Sequence, residues 1–341
     1  MAGKGDASPG GPDIVWELYA ELLRRPPTQH EVNTWSRALA GQVDLPNLLR
    51  SLLRSEEFRR KRGVTSIFPA GHYYSPVVDP NTVADYVAAQ RKLDPGDIPA
   101  LTIVPSEMFS FWKSNLNAIR AVTFPDAPSP QTRFHYQNGS FPYGDAIMLR
   151  AIMTAYRPNR IVEVGSGYTT ACMLDVADEI GLNEICITCI EPYADRLRGL
   201  LRLEDWRRVS LIETIVQEVP LAVVTHLKAG DILFIDSTHV LKTGSDVHFE
   251  ILKMLPAVCA GVLVHFHDVP FPFEYPNEWI FSANHSWNEA YVLQAFLMYN
   301  EAFRIVMWNS LLARYYSKDI QLDFPLFLKN PGGSLWLMKT K

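Results

Sequence analysis

Two groupings of acid and histidine close apolar runs in this sequence. DILFID (231–236) ends in Asp236 and leads through Ser237 and Thr238 to His239, and GVLVHFHD (261–268) ends in His267-Asp268. If both runs are strands side by side, their ends bring Asp236, His267 and Asp268 toward one point. Mixed oxygen and nitrogen donors with open positions suit a divalent ion acting as a Lewis acid. A hydrogen-bonded Asp–His network without metal is the other reading. A third apolar run, in IVEVGSGYTT (161–170), carries Glu163 and breaks into a turn with Gly165 and Gly167, and the helix-like ACMLDVADEI follows at once. Glycines let the backbone turn tightly and approach a ligand, where a helix N-terminus offers free N–H groups. This layout fits a nucleotide-like cofactor, although plain turns also use it. Glu191 lies twenty-eight residues after Glu163. An acid there can grip a ribose diol through two hydrogen bonds, or it is an exposed acid before Pro192.

These residues need a scaffold that gathers strand ends. From Tyr143 onward the pattern alternates. Strands are expected at 160–164, 184–190, 209–213, 231–235, 261–266, 303–308 and 334–339. Helices are expected at 144–156, 169–180, 193–203, 215–219, 246–255 and 288–299. The βαβα order predicts an α/β, Rossmann-like doubly wound sheet of seven strands, mostly parallel. No convincing helix lies between the last two strands, so an antiparallel edge hairpin is expected there. Ligands in such sheets sit beyond the carboxyl ends of the strands.

The chain has 341 residues, 48% hydrophobic and 20% charged, enough for one large core and a small satellite. A net charge of −5 argues against a nucleic-acid partner, which would need a basic face. Cys172, Cys186, Cys189 and Cys259 all sit in apolar runs, which predicts buried thiols in a reducing compartment. Cys186-x-x-Cys189 lies in a strand-like run with no second pair, so a zinc site is not expected. No run of 18 apolar residues occurs, and MAGKGDASPGGP is a polar tail rather than a signal peptide, so a cytoplasmic protein with no membrane span is expected.

Four segments follow: a disordered tail (1–12), an all-helical module (13–62), a Pro-rich connecting or lid segment (63–130) and the α/β domain (131–341). In the module, Asp13 caps one helix, Pro26-Pro27 stops it, and Thr28 with Glu31 opens the next as a capping box that ends at Gly41. A third helix starts near Asp44 and Pro46 and closes on a basic tail. In the connecting segment, helices are expected around 81–90 and 106–122, and His72 and Tyr73 sit in a polar aromatic loop that either covers a site or is plain surface.

Two resemblances extend this reading. Tyr19, Leu22-Leu23-Arg24-Arg25, Pro27, Glu31, Trp35, Leu39 and Leu52…Ser55-Glu56-Glu57-Phe58 are similar to the small helical module of phycobilisome-linker-like proteins. That implies a docking or spacing role for 13–62 and a protein partner. Residues 131–341, about two thirds of the chain, resemble class I S-adenosylmethionine-dependent methyltransferases, nearest the bacterial sugar and catechol-type O-methyltransferases. FHYQNGSFPYGDA (134–146), IVEVGSGYTT, IEP (190–192), IDSTHVLKTGSDVHFEIL (235–252), GVLVHFHDVPFPFEYP (261–276) and WNEAYVLQAFL (287–297) carry it. The resemblance implies a reversed last strand and S-adenosylmethionine as cofactor. Glu163, Gly165 and Gly167, with Ser166 and Tyr168, would hold its methionine part, Glu191 its ribose and Gln217-Glu218 its adenine. Thr169 replaces the third glycine.

Asp236 would stand on both the cofactor and the catalytic side. Asp236, His267 and Asp268 match the metal positions of metal-dependent members. His267 replaces the first acid of their usual pair, which favours manganese, iron or zinc over magnesium. His239 falls where relatives carry a general base, and imidazole suits that work at neutral pH; a capping or core histidine is the alternative. His265 reads as a core histidine. Lys242, Glu274, Tyr275, Trp279, Trp287, Asn288 and Glu289 would form the acceptor side, with His72 and Tyr73 over it. Aromatics with Asn and Glu fit a sugar, a glycan or another polyhydroxylated small molecule. The implied activity is O-methylation of a hydroxyl. The alternatives are hydroxylase-like chemistry on the same fold, and a non-catalytic scaffold that acts through 13–62. The protein could be an oligomer.

Overall fold

A computed structural model describes residues 11–23, 25–41, 45–55, 57–58 and 68–341. The chain divides into two compact units, 1–77 and 78–341. The tail before residue 11, the Asp13 and Asp44 caps, and the basic stretch after Phe58 lie outside what is described.

The first unit holds the helices Gly11–Leu18, Gln29–Ala40 and Leu45–Arg54, with a π turn at Tyr19–Leu23. Thr28 caps the second helix: its side chain accepts the Glu31 amide, while Glu31 accepts the Thr28 amide at 2.7 Å. Gly41 ends that helix. Val15, Tyr19, Leu23, Leu48, Leu52 and Phe58 form a small apolar core. Arg25 ties this core's rim together by bonding both Glu31 and Glu57.

The second unit is built on a seven-stranded sheet in the order β3-β2-β1-β4-β5-β7-β6. The strands are β1 Arg160–Val164, β2 Cys186–Ile190, β3 Val209–Ile212, β4 Ile232–Ile235, β5 Leu263–Phe266, β6 Phe303–Trp308 and β7 Leu335–Lys339. The first five pair in parallel, and β7 inserts antiparallel between β5 and β6. β1 and β4 are neighbours that mark the reversal of strand order, where an open α/β sheet opens a crevice at its carboxyl edge. Helices Tyr143–Tyr156 and Tyr168–Ile180 pack on β1 with nearly continuous apolar burial.

Several expectations change here. β6 and β7 are not a hairpin. The helix Asn309–Asp323 and a 3-10 turn at Pro325–Lys329 join them. Its pattern was hard to read because only Leu311, Leu312 and Ile320 bury apolar side chains, and Tyr316 breaks the helical backbone at φ −122°. The expected helix at 246–255 is interrupted by a π segment, Glu250–Met254. The cysteines are not all buried. Cys172 and Cys189 are, but Cys186 opens β2 at the sheet's edge and Cys259 lies in a turn, both exposed. The stretch after residue 77 is more than a connection: Val87, Ile98, Met108, Trp112 and Ile119 join the main core. The helix expected over 106–122 is two helices, Pro105–Ser114 and Leu116–Arg120, broken at Asn115.

Candidate active site

The strand ends are pinned one to the next by ladder bonds that run past the strands. The amide of Gly165 donates to Ile190, that of Asp236 to Val164, and that of His267 to Ile235, at 3.1, 2.9 and 3.0 Å. A cleft of about 540 Å³ opens above them. Its floor is the turn from Gly165 to Thr169; Glu191 and Arg196 stand on one side, and Asp236, His267 and Asp268 on the other. Trp279, Pro276 and Pro270 form part of the rim, and the loop Asn330–Gly333 closes the back.

The floor is made by backbone. Gly165 has φ +81°, and a Cβ there would meet the Asp236 carbonyl oxygen at 1.8 Å, so only glycine lets β1 and β4 approach this closely. At Gly167 a Cβ would press on Arg196 at 3.2 Å. Glu163 does not reach the cleft. It is fully buried, and its two oxygens accept the hydroxyls of Thr169 and Thr170, with Cys189 Sγ at 3.4 Å. Burial lifts its pKa to about 7 against those hydrogen bonds. Its place is therefore beneath the turn, tying strand to helix, and Thr169 and Thr170 are the partners that sequence reading missed. Glu191 does line the cleft. Its carboxylate accepts the amides of Ser166 at 3.1 Å and Tyr193 at 2.8 Å, which aims it across the turn. Ser166 and Tyr168 line the opening, and the Ser166 side chain also interacts with the buried Glu163 and Cys189. Gln217 and Glu218 bond instead to the Gly244 carbonyl and the Thr214 hydroxyl.

The opposite wall is made by charged side chains on unusual backbone. His239 and Asp268 have φ of 60° and 54°, the left-handed region that costs a side chain energy. His239 is buried and does not itself line the cleft; its Nδ1 lies 2.8 Å from Glu289 Oε2. Its Nε2 faces Asp236 Oδ1 at 3.6 Å and Asp268 Oδ2 at 3.7 Å. Burial alone would lower its pKa, but Glu289, Asp236 and Asp268 outweigh that and raise it. His267 Nε2 points at the Ser140 carbonyl, 3.3 Å away, and at Asp268 Oδ1, 3.5 Å away. Burial opposes its charge as well, yet Asp268, Asp236 and Asp145 lift its pKa to about 9. Burial raises the pKa of Asp236.

The expected metal positions, Asp236, His267 and Asp268, fall on one wall of the cleft. Among the described residues, no three His, Cys, Asp or Glu side chains are gathered so as to hold an ion. Asp236, His267 and Asp268 do meet, but His267 spends Nε2 on a carbonyl oxygen and a carboxylate.

No local pattern marks Asp145 beyond its place in a resembling stretch. It lines the back of the cleft while fully buried, and it accepts the Ser334 amide at 3.0 Å, the Ser334 hydroxyl and Asn309 Nδ2 at 3.2 Å. Gly332 lies on its carboxylate, where a Cβ would overlap at 1.8 Å. Burial brings its pKa to about 6. His265 is the core histidine expected, stacked on Phe234 and bonded to Ser334 Oγ at 2.9 Å.

The expected acceptor residues are divided. Trp279 reaches the cleft, and its ring lies 5.2 Å from Trp287, itself 4.4 Å from His239. Tyr275 is buried and accepts the Ala290 amide at 2.9 Å, so it supports the loop rather than facing a ligand. Glu274 is buried and accepts the Tyr291 hydroxyl at 2.7 Å. Glu289 is buried against His239. Lys242 is exposed in the turn after β4. His72 and Tyr73 belong to the first unit, where the His72 ring stacks on Phe68 at 4.6 Å.

Residues 162–269 match the model of a family described as a methyltransferase domain. An uncharacterized protein of Archaeoglobus fulgidus is 31% identical over 179 residues, which are 50% of this chain and 77% of that protein. Similar solved structures include the Podospora anserina methyltransferase PaMTH1 with bound SAH, 14% identical over 82% of this chain and 100% of that one, at a TM-score of 0.37. The O-methyltransferase TomG of Streptomyces achromogenes in complex with SAM is 12% identical over 73% of this chain and 100% of its own, also at 0.37. At these TM-scores the likenesses add nothing to the topology already described. The chain belongs to one family with the Archaeoglobus protein, and the match to the methyltransferase-domain model runs from within β1 to just past β5.

Proposed function

We infer that this methyltransferase uses S-adenosylmethionine to methylate a hydroxyl of a sugar, glycan or other polyhydroxylated small molecule. The observation that carries this reading is the cleft at the β1–β4 reversal. A backbone-lined turn and Glu191 stand on one side of it, and Asp236, His267 and Asp268 on the other, with the buried His239 3.6 and 3.7 Å from the two aspartates. S-adenosylmethionine supplies an electrophilic methyl on a sulfonium. The residues here fit that group: the N-terminus of helix Tyr168–Ile180 offers amides to a carboxylate, and Glu191 has lone pairs left for a ribose diol. His239 takes the hydroxyl proton, and the rings of Trp279 and Trp287 cover an apolar sugar face.

The helical module is read as a docking element for a protein partner in the cytoplasm, supported by its linker-like motif. No helix among the described residues is long and apolar enough to cross a membrane.

Calorimetric titration with S-adenosylhomocysteine tests the cofactor, and tritium transfer from labelled S-adenosylmethionine to a panel of free and nucleotide-linked sugars tests the acceptor. Micromolar binding with label on a sugar oxygen is expected. Absence of binding would overturn the reading, and label on nitrogen or carbon would overturn its acceptor class.

A further inference from the structure

We propose that Glu289 is a positioning residue that fixes the tautomer of neutral His239, placing the proton on Nδ1 and turning the Nε2 lone pair toward Asp236 and Asp268. The inference rests on the reading of His239 as base. Its ground is the way the start of one helix grips one residue. The His239 carbonyl accepts the amides of Asn288 and Glu289 at 3.1 and 3.2 Å. Asn288 Oδ1 accepts the Leu241 amide at 2.6 Å, and its Nδ2 donates back to the Leu241 carbonyl at 3.3 Å. Trp287 lies against the imidazole. Residues 287–289 thus hold the loop after β4 by main chain and side chain together, at a histidine whose left-handed backbone needs holding.

Within that grip the orientation of the proton follows. Ionised, Glu289 can only accept, and across the 2.8 Å contact Nδ1–H then donates to its Oε2. In the neutral ring Nε2 is then a lone pair. Its nearest polar neighbours, at 3.6 and 3.7 Å, are too far for a good hydrogen bond. A third group that orients a base in this way is a general device of acid–base sites. The step balances: the acceptor oxygen bonds the methyl carbon as the sulfonium–methyl bond breaks, and the hydroxyl proton passes to Nε2. The resulting imidazolium lies between Glu289 on one side and Asp236 and Asp268 on the other. Glu289 touches neither substrate nor cofactor. It is 1% exposed, which removes it from the acceptor side where the sequence had placed it.

The test is the tautomer itself, read by long-range proton–nitrogen NMR on protein with labelled histidine. Spectra from about pH 6 to about pH 10 reach the neutral form, and His239→Gln identifies the signal. The native protein should show Nδ1–H at His239. Glu289→Gln, whose side-chain oxygen still accepts, should keep it. Glu289→Leu should shift the neutral ring toward Nε2–H, as should Glu289→Asp, which keeps the charge but withdraws by one methylene. The Asp variant preserves the test where Leu fails to fold.

S-adenosylhomocysteine affinity, measured on the same samples, should stay within about twofold throughout, since none of these atoms lines the turn after β1. Nε2–H in the native protein, or Nδ1–H surviving in both the Leu and Asp variants, overturns the proposal. Loss of S-adenosylhomocysteine binding in the native protein overturns the methyltransferase reading instead, whatever the tautomer.

Discussion

The two walls of the cleft are built on opposite principles. After β1 the chain uses backbone: Gly165 and Gly167 admit close approach, and the one strongly placed acid, Glu163, is withdrawn beneath the turn and spent on Thr169 and Thr170. After β4 and β5 it uses side chains. Asp236, His239, His267 and Asp268 meet through histidine–carboxylate contacts of 3.5–3.7 Å, near enough to attract and farther than good hydrogen bonds. Saturated groups make a rigid receptor. Groups left partly unsatisfied keep capacity for a reacting proton. The contrast locates binding on the first wall and chemistry on the second.

Substitutions can break that division. His239→Ala should lower methyl transfer to the acceptor found by tritium assay by roughly 100- to 10,000-fold, the usual range for a lost general base. S-adenosylhomocysteine affinity should hardly move. Equal losses in both would erase the contrast. Glu191→Ala should do the reverse, weakening S-adenosylhomocysteine roughly 10- to 100-fold in calorimetry, as expected for hydrogen bonds to a charged group. Retained affinity would remove Glu191 from the receptor wall.

Gly165→Ala tests the close approach, since its Cβ would meet the Asp236 carbonyl. A loss of about 1–3 kcal/mol of stability is expected from such overpacking. It should be visible in denaturant midpoints, together with an effect on both walls at once. An unchanged midpoint would mean that the two strand ends are looser than described.

The smallest effect belongs to Glu163→Gln. The folded protein holds this carboxyl near pKa about 7, above its ordinary 4.5, so it favours the fold in its protonated form. That contribution is complete below pH 4.5 and disappears as pH rises through about 7. The variant should flatten the decline of Tm across this window by a few degrees. A variant curve parallel to the native one would show that Glu163 ionises as freely folded as unfolded.

What could be read from the sequence was whatever local pattern dictates. Seven strands, the capping box at Thr28, the reversed β7 and the strand-end positions of Asp236, His239, His267 and Asp268 all follow from periodicity, punctuation or family pattern. What could not be read depends on contacts across the chain. Asp145 meets Ser334 across 189 residues of chain, and Glu289 meets His239 across 50. No local pattern marks either pair, so Glu289 looked like an acceptor residue and Asp145 like an ordinary acid at the start of a helix. The helix Asn309–Asp323 was missed for a local reason, its interruption at Tyr316. Tyr275 was misread because an aromatic in a loop after a strand looks the same whether it faces a ligand or supports the loop.

The left-handed backbone at His239 and Asp268 sets stability against activity. A non-glycine residue in that region gives up about 1–2 kcal/mol, less for aspartate, and glycine there is free of the strain. A selection that asks only for heat resistance would therefore be drawn toward glycine at position 268. It would return proteins that fold better and have lost the second wall.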